Sequence, residues 1–190
     1  MQANDTSEAL VRARRLRAFA FDVDGVLTDG TLYFGVSGDA MKGFSVHDGF
    51  GLNLLRRAGL RLAIVTGRNA PIVQARAAEL GIDCVLQGIQ DKASGLAAVA
   101  QRFDQPLECI GYMGDDWPDL GALQRAGFAA TVASAPAALR GAADWVATRE
   151  PGHGAVRELC AWLLLARGEL ESLLAPYRGD AGVTPPRSAG

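Results

Sequence analysis

The sequence lacks long hydrophobic runs, is poor in cysteine and carries little net charge. The apolar run at residues 161–166 is far too short to cross a bilayer, and residues 1–9 lack the apolar core of a signal peptide. The three cysteines are isolated, without metal-ligand spacing, which predicts reduced thiols. A net charge of -2 gives no basic footprint for nucleic acid. These absences predict a cytoplasmic protein that binds neither membranes nor nucleic acid.

Lysine and histidine are also scarce. The sequence has two lysines, Lys42 and Lys92, against seventeen arginines, and its two histidines are His47 and His153. Arginine therefore supplies the ordinary surface cations, so a lysine is less often background here. No cysteine or histidine cluster offers a zinc site.

The chain length favours one domain. At 190 residues the chain can bury a substantial core but is too short for two domains of ordinary size. We expect a single domain over residues 1–176. Residues 177–190 are rich in glycine and proline and predict a flexible tail.

Short apolar runs alternate with amphipathic segments along the chain. Such runs are typical of strands buried on both faces of a sheet. Strands that alternate with helices predict an α/β fold with a doubly wound parallel sheet. The predicted strands are residues 18–23, 62–65, 84–86, 109–113 and 128–132, and the predicted helices are residues 49–58, 70–80, 93–102, 119–126 and 155–166.

Local signals add a helix cap and a hairpin. Asn69 is the predicted cap of the second helix, with Pro71 in the first turn. Two β-like segments, residues 31–34 and 41–44, flank a glycine-containing turn. This pattern predicts a hairpin that projects from the sheet.

Polar residues follow the predicted strands at several places. In an open parallel sheet, ligands bind outside the carboxyl ends of the strands, so these residues are the first candidates for a site. We expect chain folding to bring them together. They are Asp22 and Asp24 after the first strand, Thr66, Gly67 and Arg68 after the second, Lys92 before a helix, and Asp115 with Asp116 after the fourth.

Asp22 and Asp24 lie two residues apart, so their side chains share one face of an extended segment. Two adjacent carboxylates repel each other and need a cation. With Asp115 they supply the carboxylate or carbonyl oxygens that Mg²⁺ prefers, so all three are predicted metal ligands. Asp22 is then the candidate nucleophile towards a phosphate. Asp24 is the candidate general acid and, later, the base.

Thr66, Gly67 and Lys92 are suited to binding a transferring phosphoryl group. A hydroxyl, a backbone N–H and a compact cation can each stabilise its oxygens. Arg68 adds a forked donor for a substrate phosphate or carboxylate. Asp119, four residues and so one helical turn after Asp115, is predicted to support Lys92 or a metal-bound water.

Each motif has a plainer interpretation when it stands alone. A pair of Asp residues at the end of a strand often stabilises a turn, and Asp116 before a Trp-Pro pair can cap a helix. The combination of four motifs favours function, and it makes Asp116 a supporting residue behind the metal ligands. For His47, ligand contact and a structural role in the hairpin remain equally open.

The motifs Asp22-Val23-Asp24-Gly25-Val26, Thr66-Gly67-Arg68, Lys92 and Gly114-Asp115-Asp116 with Asp119 resemble, in order and spacing, those of the haloacid dehalogenase superfamily of phosphatases. Within it, the chain is similar to the 3-deoxy-D-manno-octulosonate 8-phosphate phosphatases over about residues 16–170. The resemblance implies magnesium-dependent hydrolysis through an aspartyl-phosphate, in lipopolysaccharide precursor synthesis.

The resemblance further implies an uncapped homotetramer in which the hairpin of one subunit helps to close the neighbour's site. The spacing between motifs supports the first point, because neither usual insertion site has room for a domain. His47 and Pro151 depart from the family, which has arginine and glycine there. The predicted substrate contacts are His47, Thr66, Gly67, Arg68 and Lys92.

Two alternatives to this function remain open. One is a phosphatase of a related nine-carbon sugar acid. It stays open because the residues that select the sugar would come from the hairpin, which lies outside the four motifs. The other is a receiver-type signalling module, which also groups acidic residues, a Thr and a Lys around magnesium. In receivers the phosphorylated aspartate lies on a later strand, whereas here Val65 is followed by Thr66. Dehalogenase chemistry needs no acid at the second position, so Asp24 counts against it.

Overall fold

The structure is a computed structural model that describes residues 7–36 and 38–178, with the backbone alone for residues 38–40. Its strands are β1 (Ala18–Phe21), β2 (Tyr33–Gly35), β3 (Gly38–Met41), β4 (Arg61–Val65), β5 (Cys84–Leu86), β6 (Ile110–Gly114), β7 (Phe128–Thr131) and β8 (Trp145–Val146). Six of them form a parallel sheet in the order β5-β4-β1-β6-β7-β8, and β2 pairs with β3 in a separate antiparallel hairpin.

Helices flank the parallel sheet. They are α1 (Ser7–Arg15), α2 (Val46–Arg57), α3 (Pro71–Leu80), α4 (Lys92–Phe103), α5 (Leu120–Arg125), α6 (Ala137–Ala142), α7 (Ala155–Ala166) and α8 (Leu170–Leu174). The α/β fold with a doubly wound parallel sheet is confirmed. Between β1 and β4 the chain forms only the hairpin and α2, and between β4 and β5 only α3, so neither connection holds a cap domain in the described ranges.

The centre of the sheet is buried. All four residues of β1 are buried, as are the inner residues of its neighbours β4 and β6. Phe21 aligns with Ile64 on β4 and with Met113 on β6. The three central strands therefore end at one level, and the polar residues that follow them meet at one edge of the sheet.

Two local predictions on helix starts are wrong. The helix predicted at residues 49–58 begins at Val46, because the Ser45 hydroxyl accepts a hydrogen bond from the Asp48 N–H at 3.3 Å. Asn69 does not cap α3. Ala70 occupies the N-cap position instead, and its N–H donates to the Gln87 side chain at 2.7 Å.

The ends of the hairpin and of the chain also differ from the predicted boundaries. The second hairpin strand is β3, so residues 42–44 leave the hairpin rather than extend it, and part of the predicted turn lies outside the described residues. Tyr177, the first residue of the predicted tail, packs edge-on against Phe50 at 5.4 Å between ring centroids. Residues 179–190 of that tail lie outside the described residues.

Four short or polar elements were not predicted: α1, α6, α8 and β8. Helix α1 is rich in arginine and β8 has two residues, so neither shows a long apolar pattern. No helix within residues 7–36 and 38–178 is long and apolar enough to cross a membrane.

Candidate active site

A cleft of about 350 Å³ opens at the carboxyl ends of the central strands. It contains every predicted site residue except His47. Its lining consists of Asp22, Asp24, Thr66, Gly67, Arg68, Ile89, Gln90, Lys92, Asp115, Asp116, Pro118 and Asp119. Ile89, Gln90 and Pro118 were not predicted as site residues.

Asp22 lies at the floor of this cleft. Its N–H continues the sheet by donating to the Met113 carbonyl at 3.0 Å, which fixes the backbone at the end of β1. Its carboxylate is nearly buried, and Oδ1 lies 2.7 Å from Lys92 Nζ. Lys92 is held at the first turn of α4, where the Asp91 carboxylate caps the helix. The predicted nucleophile and the predicted phosphate-binding cation are therefore in direct contact.

Asp119 braces this pair from below. Its Oδ1 accepts hydrogen bonds from Lys92 Nζ at 3.1 Å and from the Tyr112 hydroxyl at 2.6 Å. Its Oδ2 accepts from the N–H groups of Asp115 and Asp116 at 3.2 and 3.3 Å. Four donors thus occupy a carboxylate that is only 1% exposed, which makes Asp119 a support for the cation and for the acidic loop.

Three carboxylates are close enough to share a divalent cation. Single oxygens of Asp22, Asp115 and Asp119 lie within 4.8 Å of one another. Because donors already engage both oxygens of Asp119, the oxygens available to a metal belong to Asp22 and Asp115. The chain makes room for Asp115 at Gly25, where a Cβ atom would come within 2.0 Å of Asp115 Oδ2.

The electrostatics of the cluster also fit a cation. Burial, and then repulsion from Asp119, raise the pKa of Asp22 to about 6, although Lys92 opposes the shift. Burial, with repulsion from Asp119 and Asp22, raises the pKa of Asp115 to about 7. Crowded carboxylates of this kind are stabilised by a hard dication such as Mg²⁺, which prefers oxygen ligands.

The side chain of Asp24 points away from the other acidic residues of the cleft, towards Lys42 and Arg68. Its carboxylate lies outside the three-carboxylate group: Lys42 donates a hydrogen bond to Oδ1, and Arg68 Nε lies 3.6 Å from Oδ2. The side chain lines the same cleft and is 22% exposed. This placement suits a group that exchanges a proton with a ligand, and the role of Asp24 as a metal ligand stays a prediction.

Thr66, Gly67 and Arg68 form the opposite wall. Thr66 is buried, and its N–H extends the sheet by donating to the Leu86 carbonyl at 2.9 Å. The Gly67 carbonyl accepts a hydrogen bond from the Gln90 side chain at 2.9 Å. The side chain of Arg68 is 46% exposed at the rim of the cleft. The wall thus combines a fixed backbone with one exposed cation.

Asp116 caps the turn behind the metal-binding loop. Its carboxylate accepts from the Trp117 N–H at 2.8 Å and takes part in a capping box with Asp119. Asp116 therefore holds the loop that presents Asp115, in addition to lining the cleft.

His47 lies elsewhere. It lines a second cavity, of about 380 Å³, together with His153, Asp29 and Tyr33 at the base of the hairpin. The structure does not bring His47 into the acidic cleft of the same subunit. Its position directly before Asp48 in the sequence did not indicate that His47 would lie outside the cleft.

Two buried polar residues of the site were missed. Tyr112 lies inside the apolar run of β6, where the sequence pattern indicates only core, although its hydroxyl supports Asp119. Lys42 belongs to a segment predicted as strand. The scarcity of lysine was the one available signal for it.

The sheet is doubly wound, and its first strand ends at a nearly buried aspartate in contact with a lysine and close to an acidic loop. This arrangement is typical of hydrolases of the haloacid dehalogenase type. The family model of haloacid dehalogenase-like hydrolases matches residues 51–127. Similar proteins with more specific names define the family within this class.

The 3-deoxy-D-manno-octulosonate 8-phosphate phosphatase KdsC of Escherichia coli K12 is 37% identical over 166 residues, covering 87% of this chain and 88% of its own. The crystal structure of the Moraxella catarrhalis phosphatase of that name, in complex with magnesium, phosphate and KDO, is 38% identical with a TM-score of 0.88. It covers 91% of this chain and 99% of its own.

The cobalt-bound phosphatase of Haemophilus influenzae is 35% identical with a TM-score of 0.82, covering 84% of this chain and 93% of its own. The chain belongs to the 3-deoxy-D-manno-octulosonate 8-phosphate phosphatase family of haloacid dehalogenase-like hydrolases. The resemblance drawn from its motifs is confirmed, and these relatives favour neither the receiver-type nor the nonulosonate alternative.

Proposed function

We propose that this protein hydrolyses 3-deoxy-D-manno-octulosonate 8-phosphate to 3-deoxy-D-manno-octulosonate and phosphate, with Mg²⁺ as cofactor and Asp22 as nucleophile. The observation that carries the proposal is the contact of Asp22 with Lys92 at 2.7 Å beside Asp115, at the floor of an open cleft. The named relatives support the choice of substrate.

The reaction divides into two transfers of the phosphoryl group. A carboxylate oxygen of Asp22 attacks phosphorus while the bond from phosphorus to the sugar oxygen breaks. Asp24, protonated at this stage, gives its proton to the departing oxygen. A water molecule then attacks the aspartyl-phosphate and loses a proton to Asp24, so that phosphate leaves and both aspartates return to their starting states.

The rest of the cleft stabilises charge on the phosphoryl oxygens. Lys92 supplies a cation that Asp119 holds in place, and Thr66 with the N–H of Gly67 supplies neutral donors. Mg²⁺, when bound by Asp22 and Asp115, offsets the repulsion between these carboxylates and the incoming phosphate. Arg68, exposed at the rim, is placed to contact the sugar acid.

The proposal includes assembly as a homotetramer, a cytoplasmic location and a role in lipopolysaccharide precursor synthesis. Support for assembly comes from the hairpin, whose apolar side chains Tyr33, Phe34 and Met41 are exposed. In a tetramer, His47 could reach a neighbour's substrate through the cavity at the base of the hairpin.

Phosphate release by the purified protein tests this function. We expect release from the octulosonate 8-phosphate that requires Mg²⁺ and stops with a chelator. The specificity constant should exceed that for a nonulosonate 9-phosphate by about tenfold or more, which is about 1.4 kcal/mol of discrimination. Absence of phosphate release from the octulosonate ester would refute the proposal. Faster release from the nonulosonate ester would overturn the substrate assignment.

A further inference from the structure

Lys42 holds a cation behind the predicted acid of the reaction. It follows β3, where the chain leaves the hairpin for α2, and its side chain is only 1% exposed. Its ammonium donates a hydrogen bond to Oδ1 of Asp24, eighteen positions earlier in the sequence. A buried ammonium is costly without an anionic partner, so the two side chains are firmly held together.

The two oxygens of Asp24 differ in how tightly they are held. Oδ1 is bonded to buried Lys42, whereas Oδ2 lies 3.6 Å from Nε of Arg68, beyond a good hydrogen bond. Arg68 is also half-exposed and can turn towards a ligand. A ligand can therefore displace the partner of Oδ2 but not that of Oδ1.

We propose that Lys42 is a positioning residue for the reaction: it fixes Oδ1 of Asp24, so that Oδ2 is the oxygen that exchanges a proton with the leaving group and then with water. Lys42 lies behind Asp24 and takes no part in lining the cleft, so it acts through Asp24 rather than on the substrate. This role rests on the proposed function, in which Asp24 is the general acid that Lys42 positions.

The same contact gives the hairpin a role within its own subunit. The segment from β3 to α2 delivers Lys42 to the end of β1. Displacement of the hairpin would withdraw the ammonium and release the carboxylate of Asp24. Positioning of the acid is thereby coupled to the placement of the projecting element.

Two substrates with different leaving groups test this role in Lys42→Met, which keeps the length of the side chain and removes its charge. With the octulosonate 8-phosphate, whose alkoxide must be protonated, we expect kcat to fall about 10²-fold with KM nearly unchanged. With p-nitrophenyl phosphate, the phenolate leaves without a proton, so Asp22 is still phosphorylated quickly. The second step, which needs Asp24 as base, becomes slow.

The expected signature is a burst of nitrophenolate that approaches one equivalent per active site, followed by a slow steady state. An equal loss of rate on both substrates without a burst, or an unchanged kcat, would overturn the proposal. Because the burst uses p-nitrophenyl phosphate alone, it decides the role of Lys42 even if the octulosonate ester is not the substrate.

Three further variants separate positioning from structural damage. Arg102→Met removes an exposed cation on α4 that does not line the cleft, and it should leave both substrates unaffected. Lys42→Arg keeps the charge and should restore part of kcat. Asp24→Asn with Lys42→Met removes both ends of this contact and should be no slower than Asp24→Asn alone. A slower double variant would contradict the proposal, and this comparison stands even if Lys42→Met alone does not fold.

Discussion

The floor and the rim of the cleft are built in opposite ways. At the floor, Asp119 is 1% exposed and accepts four hydrogen bonds, and Lys92 is 4% exposed between two carboxylates. At the rim, the side chain of Arg68 is 46% exposed. The groups proposed to react are thus preorganised on the sheet, whereas Arg68, which is proposed to contact the sugar, is far more exposed.

This contrast predicts the largest effect at the floor. Asp22→Asn removes the nucleophile and should lower kcat by about 10⁴-fold or more, since no other carboxylate can take its place. Steady-state phosphate release measures it. Asp104→Asn is a suitable control, because the left-handed backbone at this helix end, with φ of 50°, also suits Asn. Comparable turnover in Asp22→Asn would reject the assignment of the nucleophile.

Loss of the floor cation should come next. Lys92→Met leaves Asp22 and Asp119 facing each other without an ammonium between them. We expect kcat to fall by about 10²- to 10³-fold, as for other deleted groups that stabilise transition-state charge. Added Mg²⁺ should restore little of the rate, because the phosphoryl group loses its own cation. A rise in KM with kcat unchanged would show instead that Lys92 serves only to bind the substrate.

The rim should respond more weakly and in a different parameter. Arg68→Met should raise KM for the sugar phosphate by about tenfold and change kcat little, because this side chain binds the substrate away from the reacting bond. Arg102→Met, on the exposed face of α4, is the matched control. An equal fall in kcat would place Arg68 in the transition state and blur the distinction between floor and rim.

The smallest predicted effect is on stability. The pKa values of Asp22 and Asp115 in the folded protein, about 6 and about 7, lie above that of an unfolded carboxyl group. Their contribution to stability is therefore complete below about pH 4 and is lost as the pH rises through 6 to 7. In the metal-free protein we expect Tm to fall by several degrees between pH 5 and pH 8.

Mg²⁺ should reverse this fall, and should raise Tm more at pH 8 than at pH 5, because it binds the ionised carboxylates. Asp115→Asn should lose most of the Mg²⁺ response, and it should lose only the part of the pH-dependent fall that comes from Asp115. Differential scanning calorimetry with and without a chelator measures them. The same Mg²⁺ response at both pH values, or in the variant, would mean that the cation binds elsewhere.

Sequence patterns indicated the floor better than the rim. Asp22, Lys92 and Asp115 could be predicted because the ends of adjacent parallel strands must meet, whatever the side chains do there. The Tyr112 support could not, since a tyrosine within an apolar strand has the pattern of core. The roles of Lys42 and His47 depend on the path of the hairpin, which periodicity does not determine.

The same limit applies to the fold. Short apolar runs predicted five strands of the sheet, whereas β8 has only two residues and is defined by its pairing with β7. Local hydrogen bonds decided the helix starts: Ser45 begins α2 earlier than the pattern indicated. The hydrogen bonds that fix helix ends leave a weaker sequence pattern than the apolar residues that mark buried elements. Helix ends were therefore predicted less well than the elements themselves.

Direct detection of the phosphorylated residue tests the central claim. The Asp24→Asn variant slows breakdown of the intermediate, while p-nitrophenyl phosphate still forms it because the phenolate leaves without a proton. Acid quenching with this ester and Mg²⁺ should therefore trap the intermediate for peptic digestion and mass spectrometry. We predict one added phosphoryl group on the peptide that contains Asp22, absent when Asp22 is also replaced by Asn. A phosphoryl group on another residue, or turnover in this variant with no phosphorylated enzyme at any quench time, would contradict the account.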